Sequence, residues 1–451
     1  MKPTGLLFFP AFDWAISPTH PEREERLLYT RDQIFEEGVI DLPQIREYQP
    51  RLASPKDIAR VHFCIPTVEA IATEAHLVSA GGALVIGDAF MERQIRNGFA
   101  IIRPPGHHAM TVAHGNRGFC NINNEAIMVE YLRRKYGIRR IAIVDTDVHH
   151  GDGTQEIFYH DPDILFISFH QDGRTLYPGT GFIDELGWPS AWGTTINIPL
   201  APHTTDAGIL HAIDNLILPI LEEFKPELVV NSAGQDNHYS DPLANMLFTA
   251  TGYAELNRRL APDIAVLEGG YSVETALPYI NLALIMAMAG IDYSNLREPD
   301  YDSKMLRESP DNIARLDKLI AIQLKNFRRR EEQQQARMKQ HDQFFTLSRR
   351  IYYDTDNINE NQQIRQRLCE RCCSYREIDS TGAPMAGRRH RVLCYSIPLY
   401  SCRQCREEAL ELYRSSLRQG GAGYDYIYLQ DRFADDYRRF DCADDLEQVI
   451  A

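Results

Sequence analysis

The sequence predicts an α/β protein with an open, mainly parallel sheet that is covered by helices on both faces. Two observations support this class. Between about residues 101 and 271, short apolar runs rich in branched residues alternate with helical patterns. Polar residues follow each apolar run directly, and open α/β sheets bind ligands beyond the carboxyl ends of their strands. We therefore expect a functional site along that edge of the sheet.

Four apolar runs have the length and composition of strands buried on both faces. They are residues 141–144, 164–167, 228–230 and 264–267. Helical patterns intervene at residues 125–136, 207–224 and 252–260. This alternation of strand and helix is typical of a parallel sheet, because parallel neighbours need a crossover connection.

The composition of the 451 residues indicates a globular chain, since 44% apolar residues is enough for at least one large core. No apolar run reaches membrane-spanning length, and the amino-terminal segment lacks the features of a secretory signal, so we expect a cytoplasmic protein with no membrane partner. The net charge of -15 argues against a protein that coats nucleic acid along its whole surface. It slightly favours cationic substrates.

The segment after residue 144 offers metal ligands, because Asp147 and His149 lie two residues apart in a loop that follows a strand. Asp241 can add a third ligand from a neighbouring loop. Three ligands leave one position open, as a catalytic zinc requires. Taken alone, an Asp-x-His pair is more often part of an ordinary surface loop.

A pair of adjacent histidines favours a metal site over an ordinary surface loop. His107 and His108 follow the rigid segment Arg103-Pro104-Pro105-Gly106, in which no helix can continue. Asp145 and Asp152 are available to orient the two imidazoles and to fix their tautomers.

Six motifs occur together and in the order found in histone deacetylases and their bacterial relatives, which this sequence resembles from about residue 6 to residue 288. They are RPPGHHA, GFCNINNEA, VDTDVHHGDGTQ, YPGTG, SAGQDNHYSDP and LEGGY. The sequence is most similar to the class II branch. The resemblance implies an arginase-like α/β fold, a catalytic zinc and hydrolysis of an acyl-amide.

The resemblance also implies a role for each residue at a matching position. Zinc would be held by Asp147, His149 and Asp241. His108, paired with Asp152, would be the general base and then the general acid, and His107, paired with Asp145, its electrostatic partner. Tyr271 would donate a hydrogen bond to the developing oxyanion.

Further positions match the family's substrate channel and cation sites. Phe119 and Tyr177 would face each other across a narrow channel for the methylenes of an acyl-lysine, although each, taken alone, could be an ordinary core aromatic. The family also carries a monovalent cation, usually potassium, near the zinc. The matching positions are Asp145, Asp147, His149, Ser168 and Phe169, and a second such site matches Phe158, Asp161 and Ile164.

Two details bear on the substrate. Tyr271 is present where catalytically weak class IIa members have histidine, so we expect real deacetylase activity. Polyamine-type members carry an acidic residue soon after the third ligand, and residues 242–249 contain none. This favours acyl-lysine in proteins, with an acetylpolyamine or small-molecule amidohydrolase as the alternative. A binding protein for acyl-lysine, or a zinc-finger scaffold, is the alternative outside the enzymes.

The chain beyond residue 295 has a different composition. We expect the catalytic domain to cover residues 1–295, a charged helical connector residues 296–362, and a cysteine-rich module with an acidic tail residues 363–451. In the module Cys369, Cys372, Cys402 and Cys405 form two Cys-x-x-Cys pairs, and four thiolates close a tetrahedral structural zinc site.

The pattern resembles a treble-clef or zinc-ribbon finger, and Cys373 or Cys394 could replace one ligand. A closed zinc site in so small a segment usually stabilises the fold. The basic run at residues 388–391 is the one place where we consider contact with nucleic acid or an acidic partner.

Overall fold

The computed structural model describes residues 2–303, 306–385, 387–421 and 423–451. Its first part contains ten strands: β1 (Thr4–Phe9), β2 (Ile45–Tyr48), β3 (Phe63–Cys64), β4 (Asn97–Ile102), β5 (Val112–Ala113), β6 (Ile141–Asp145), β7 (Ile164–Gln171), β8 (Thr195–Leu200), β9 (Leu228–Ala233) and β10 (Ile264–Leu267). Eight of them form one sheet in the order β2-β1-β4-β10-β9-β6-β7-β8, with every neighbouring pair parallel. Strands β3 and β5 form a separate parallel pair. The predicted fold class is confirmed.

Helices connect these strands and continue beyond them. They are α1 (Leu28–Glu36), α2 (Pro55–Ala59), α3 (Val68–Ile71), α4 (Glu74–Met91), α5 (Asn124–Tyr136), α6 (Asp152–Phe158), α7 (Asp206–Ala212), α8 (Leu218–Phe224), α9 (Ala250–Leu260), α10 (Leu277–Ala289), α11 (Pro310–Arg328) and α12 (Arg330–Met338). A π-helical turn at Ile213–Ile217 joins α7 to α8, so the helical pattern expected across residues 207–224 is continuous. In the described part of the chain, no helix combines the length and the apolar character needed to cross a membrane.

The large sheet separates two apolar clusters, as expected for strands whose successive side chains point to opposite faces. In β6, Ala142 and Val144 belong to one cluster, which also takes in α9, α10 and α11. Ile141 and Ile143 belong to the other cluster, which includes α4 and α5. Burial on both faces explains why β6 has a continuous apolar sequence.

The remaining chain forms a second sheet, which we call the C-terminal sheet (residues 344–449). Its strands are β11 (Phe344–Tyr353), β12 (Ile358–Arg367), β13 (Arg376–Pro384), β14 (His390–Ile397), β15 (Tyr426–Asp431), β16 (Asp436–Asp441) and β17 (Leu446–Val449), in sequential order. All neighbours are antiparallel except β14 and β15, which are parallel and joined by helix α13 (Arg403–Arg418).

This architecture differs from the predicted helical connector at residues 296–362. Helices α11 and α12 lie in that range, but β11 and the first half of β12 lie there too. The reason is visible in β12, where the face turned inward carries Glu360, Gln362 and Gln366, all almost fully buried. A polar buried face gives no apolar alternation, so the segment has the composition of a solvated helix. The acidic end of the chain likewise forms strands β16 and β17.

The C-terminal sheet packs directly against the first sheet's domain. A shared apolar cluster joins Phe63 and Trp188 to Ile378 and Tyr428, among others. Side chains of the C-terminal sheet also donate to main-chain carbonyls of the first domain, for example Tyr428 Oη to Pro66 O at 2.8 Å. The two sheets therefore share a core.

Candidate active site

The carboxyl ends of the central strands bring the predicted site residues together. Loops after β4, β10, β9 and β6 contribute the histidine pair, Tyr271, Asp236 and the Asp147–His149 segment, respectively. Glu268, which follows β10, fixes the histidine loop by accepting the main-chain N–H groups of Gly106 (2.7 Å) and His107 (3.0 Å).

Three potential metal ligands converge there. The Nδ1 atom of His149 lies 3.1 Å from Asp147 Oδ1 and 3.1 Å from Asp236 Oδ2, and one ligand atom from each residue lies within 4.8 Å of the others. Burial opposes a charged imidazole, but the hydrogen bonds to the two carboxylates raise the pKa of His149 to about 10. Two buried carboxylates facing one imidazole nitrogen thus attract positive charge. This donor set fits a divalent cation with an open coordination position.

The third residue of this group is Asp236, whereas the family resemblance implies Asp241, five residues further along the same loop, and Asp241 stays a prediction. Both carboxylate oxygens of Asp241 accept main-chain N–H groups, from Tyr271 at 2.7 Å and from Leu243 at 3.0 Å. Asp241 therefore braces the Tyr271 loop. The sequence contains both carboxylates in QDNHYSD, five residues apart, and their spacing alone does not decide between them.

Each histidine of the pair contacts the acid expected for it. His107 Nδ1 lies 3.1 Å from Asp145 Oδ2, and His108 Nδ1 lies 2.8 Å from Asp152 Oδ1. Arg117, which the sequence analysis did not assign, holds Asp152 through two contacts of 3.0 and 2.7 Å.

The environments of the two imidazoles separate their protonation states. Burial, reinforced by the neighbouring charges of His107 and Arg117, holds the pKa of His108 well below its usual range. Burial opposes protonation of His107 too, but Asp147 and Asp145 hold its pKa well above the usual range. A neutral His108 can accept a proton, whereas a cationic His107 supplies a positive charge beside it.

Tyr271 lies in the same pocket. Its ring packs edge-on against Phe119, with 5.5 Å between centroids, and the Arg26 guanidinium lies 4.9 Å from its ring centre. Burial raises the pKa of Tyr271 well above its usual range, so the phenol keeps its proton and can donate it in a hydrogen bond. Arg26 is fixed by Glu22 (2.8 Å) and donates to Gly270 O at 2.7 Å, and the sequence analysis gave it no role.

The two predicted channel aromatics flank this pocket through different neighbours. Phe119 contacts His20 at 4.3 Å between ring centroids, in addition to Tyr271. Tyr177 contacts the rings of His108 (5.2 Å) and His149 (6.3 Å). Both rings therefore border the histidine and carboxylate cluster, while their facing one another remains a prediction.

The residues predicted to hold a monovalent cation are buried near the same strands. Asp145 and Ser168 are paired in register between β6 and β7, and Phe169 follows. At the second predicted position the Asp161 side chain already accepts Arg133 Nη1 at 2.7 Å and Asp163 N at 3.0 Å, and Phe158 and Ile164 are buried nearby. Potassium at these positions stays a prediction.

A second group of potential ligands lies in the C-terminal sheet. The four sulfurs of Cys369, Cys372, Cys402 and Cys405 lie within 4.8 Å of one another. The first pair is in the loop between β12 and β13, and the second pair is at the start of α13. A hydrogen bond with the Cys405 thiol lowers the pKa of Cys372 to about 5, which favours the thiolate form that binds zinc.

The cysteines considered as replacements lie elsewhere. Cys373 and Cys394 are buried outside this group, and Cys394 packs in the core shared by the two sheets. The basic run is partly neutralised, because Arg388 pairs with Asp425 and Arg391 with Asp379, each at 2.7 Å.

Comparisons with known proteins identify the family of this chain. Residues 64–287 match the family model described as histone deacetylase domain. A probable deacetylase of Archaeoglobus fulgidus is 46% identical over 325 residues, which cover 66% of this chain and 89% of the relative. The histone deacetylase-like amidohydrolase of Pseudomonas aeruginosa is 31% identical and covers 65% of this chain and 83% of its own length. The crystal structure of the HDA15 HD domain superposes with a TM-score of 0.63 at 25% identity, covering 75% of this chain and 99% of that one. The chain belongs to the histone deacetylase family.

Proposed function

We propose that this protein is a zinc-dependent deacetylase that hydrolyses the acetyl-amide of acyl-lysine in proteins. The observation that carries the proposal is the position of the His108 imidazole beside a three-residue group of carboxylate and histidine ligands. His108, backed by Asp152, has its ring 6.0 Å from that of His149, measured between centroids. Family membership as a deacetylase or amidohydrolase supports the reaction class.

The residues that would hold the metal are Asp147 and His149, with Asp236 as the third ligand favoured by the grouping of ligand atoms and Asp241 as the one implied by the family resemblance. When bound there, zinc would polarise the acyl carbonyl and lower the pKa of an attacking water. The fit rests on the donor set, since two buried carboxylates share the His149 nitrogen.

The side chains supply the proton transfers. His108 would take a proton from the attacking water and deliver it to the departing amine, because burial keeps its imidazole neutral at the start. His107 would stabilise the developing negative charge through its own positive charge. Tyr271 would donate its phenol proton in a hydrogen bond to the carbonyl oxygen as that oxygen becomes negative.

We also propose that the four clustered cysteines bind a structural zinc. For a zinc–sulfur distance of about 2.3 Å, tetrahedral geometry puts the sulfurs about 3.8 Å apart. The grouping within 4.8 Å is compatible with that arrangement. Such a site would tie the β12–β13 loop to the first turn of α13.

The test is mass spectrometry of acyl-lysine peptides and acetylpolyamines after incubation with the full chain. We expect loss of the acetyl group from lysine peptides. Preferential turnover of acetylpolyamines would instead support the small-molecule amidohydrolase, and absence of turnover of any acylated amine would refute the enzyme.

Two variants, one expected to be inactive and one matched control, accompany this test. His108→Ala should abolish turnover, because the proton carrier is gone. His211→Ala is the matched control, since His211 lies on the outer surface of α7 and pairs with Asp317 at 2.7 Å. Its turnover should equal that of the wild type.

A further inference from the structure

A tight turn carries Phe119 into the proposed channel. The main chain of Arg117 and Cys120 is joined by two reciprocal hydrogen bonds of 3.0 and 2.9 Å. Both central residues have positive φ, +52° at Gly118 and +69° at Phe119. A bulky aromatic residue rarely adopts this conformation, and it persists only when the surroundings hold it in place.

The C-terminal sheet holds this turn through the hairpin between β11 and β12. Asp354 Oδ1 accepts the main-chain N–H of Gly118 at 2.9 Å. The same oxygen accepts the hydroxyl of Tyr177 at 3.1 Å. One carboxylate oxygen therefore connects both walls of the proposed channel, although Asp354 is more than 170 residues away from Tyr177 in the sequence.

The hairpin also fixes the segment that leads into the turn. Asp356 Oδ2 accepts Asn116 N at 2.6 Å, and Tyr353 Oη donates to Val112 O at 2.6 Å. These contacts on either side of Asp354 attach the hairpin to the catalytic domain and thereby fix the position of Asp354.

Gly118 lies directly against the catalytic group. A Cβ atom added at this glycine would meet the His108 ring at 2.5 Å and the Tyr177 ring at 3.0 Å. The position of this turn therefore sets the wall of the channel next to these two rings.

We propose that Asp354 is a positioning residue, through which the C-terminal sheet completes the substrate channel of the catalytic domain. This inference rests on the proposed deacetylase function. Asp354 would act by accepting hydrogen bonds from Gly118 and Tyr177 and would not touch the reacting atoms. It lies outside residues 64–287, the part of the chain that matches the family model.

The test compares Asp354→Ala, Asp354→Asn and the control Asp444→Ala in the full chain. Asp444 is an exposed residue of the same sheet, in the turn between β16 and β17. With an acetyl-lysine peptide, Asp354→Ala should lower kcat/KM by about ten- to a hundredfold, mainly through KM, as expected for lost hydrogen bonds to a charged acceptor. Asp354→Asn keeps an acceptor oxygen and should recover most of the loss, and Asp444→Ala should match the wild type.

A second substrate separates positioning from general destabilisation. 4-Nitrophenyl acetate has no lysine chain to thread through the channel, so its hydrolysis should change much less in Asp354→Ala. Zinc content and Tm are measured for every variant. The inference is overturned if Asp354→Ala retains the wild-type kcat/KM, or if peptide and ester hydrolysis fall equally together with Tm. Inactivity of the wild type toward acetyl-lysine would overturn the proposed function as well, whereas an unaffected Asp354→Ala in an active background overturns the positioning role alone.

Discussion

Replacing Asp236 and Asp241 separately by alanine distinguishes a metal ligand from a residue that braces a loop. Asp236 Oδ2 lies 3.1 Å from His149 Nδ1, in the three-residue ligand group. Asp241 is outside this group, and its two oxygens accept the N–H groups of Tyr271 and Leu243. The two substitutions should therefore affect different properties.

The magnitudes follow from these contacts. Asp241→Ala leaves the buried N–H of Tyr271 without its acceptor, at a cost of about 1–3 kcal/mol in the free energy of unfolding, and the partly buried N–H of Leu243 adds less because water can reach it. Zinc should stay bound, and kcat should decrease because Tyr271 loses its brace. Asp236→Ala leaves the buried N–H of Val148 without its acceptor, but it also removes one of two carboxylates that repel each other in the metal-free protein, so the apoprotein should lose less stability. It should lose the catalytic zinc.

The assay combines metal analysis after dialysis with guanidinium unfolding of the apoproteins. With a structural zinc at the cysteines, the wild type and Asp241→Ala should each hold two equivalents of zinc, and Asp236→Ala only one. If Asp241→Ala loses the catalytic zinc while Asp236→Ala retains it, Asp241 is the ligand and our assignment from geometry is wrong.

The remaining predictions concern the oxyanion donor, the cysteine site and pH. Tyr271→Phe should lower kcat by about two to three orders of magnitude with little change in KM, measured by steady-state kinetics, and wild-type kcat would show that the phenol does not act. Cys402→Ser should remove one zinc equivalent and make the C-terminal sheet sensitive to limited proteolysis, whereas unchanged zinc content would exclude the thiol as a ligand. Burial lowers the pKa of His62 to about 4, and its neutral ring accepts Asn123 N at 2.9 Å while its other nitrogen contacts Met110 O at 2.8 Å. The unfolded chain binds this proton near pH 6.5, so the contribution of His62 to the free energy of unfolding should be complete above that pH and should fall by about 1.4 kcal/mol per pH unit between about 6.5 and 4. In urea titrations, His62→Gln should therefore weaken the pH dependence of the free energy of unfolding.

Much of the fold and part of the site followed from the sequence. Strand β6 was recognisable because burial on both faces requires a continuous apolar run, and the polar residues after it lie where parallel strands end. The pairing of His107 with Asp145 and of His108 with Asp152 agrees with the family pattern. The family resemblance implies Asp241 as the third ligand and the grouping of ligand atoms favours Asp236, so the choice between these two carboxylates of one loop stays a prediction.

The sequence by itself determined the α/β class, the family and the types of side chain at the site, because local periodicity and motif order are written directly in the chain. Only the tertiary structure decided how residues 344–451 relate to that site. Strand β12 buries the polar residues Glu360, Gln362 and Gln366, and Gln366 Nε2 donates to Ser190 Oγ, 176 residues away, at 2.8 Å. Because its inward face is mostly polar, the sequence does not identify this segment as a strand. Asp354, in the hairpin between β11 and β12, accepts the main-chain N–H of Gly118 in a turn of the catalytic domain. Such contacts depend on how whole layers pack, and no local pattern in the sequence encodes them.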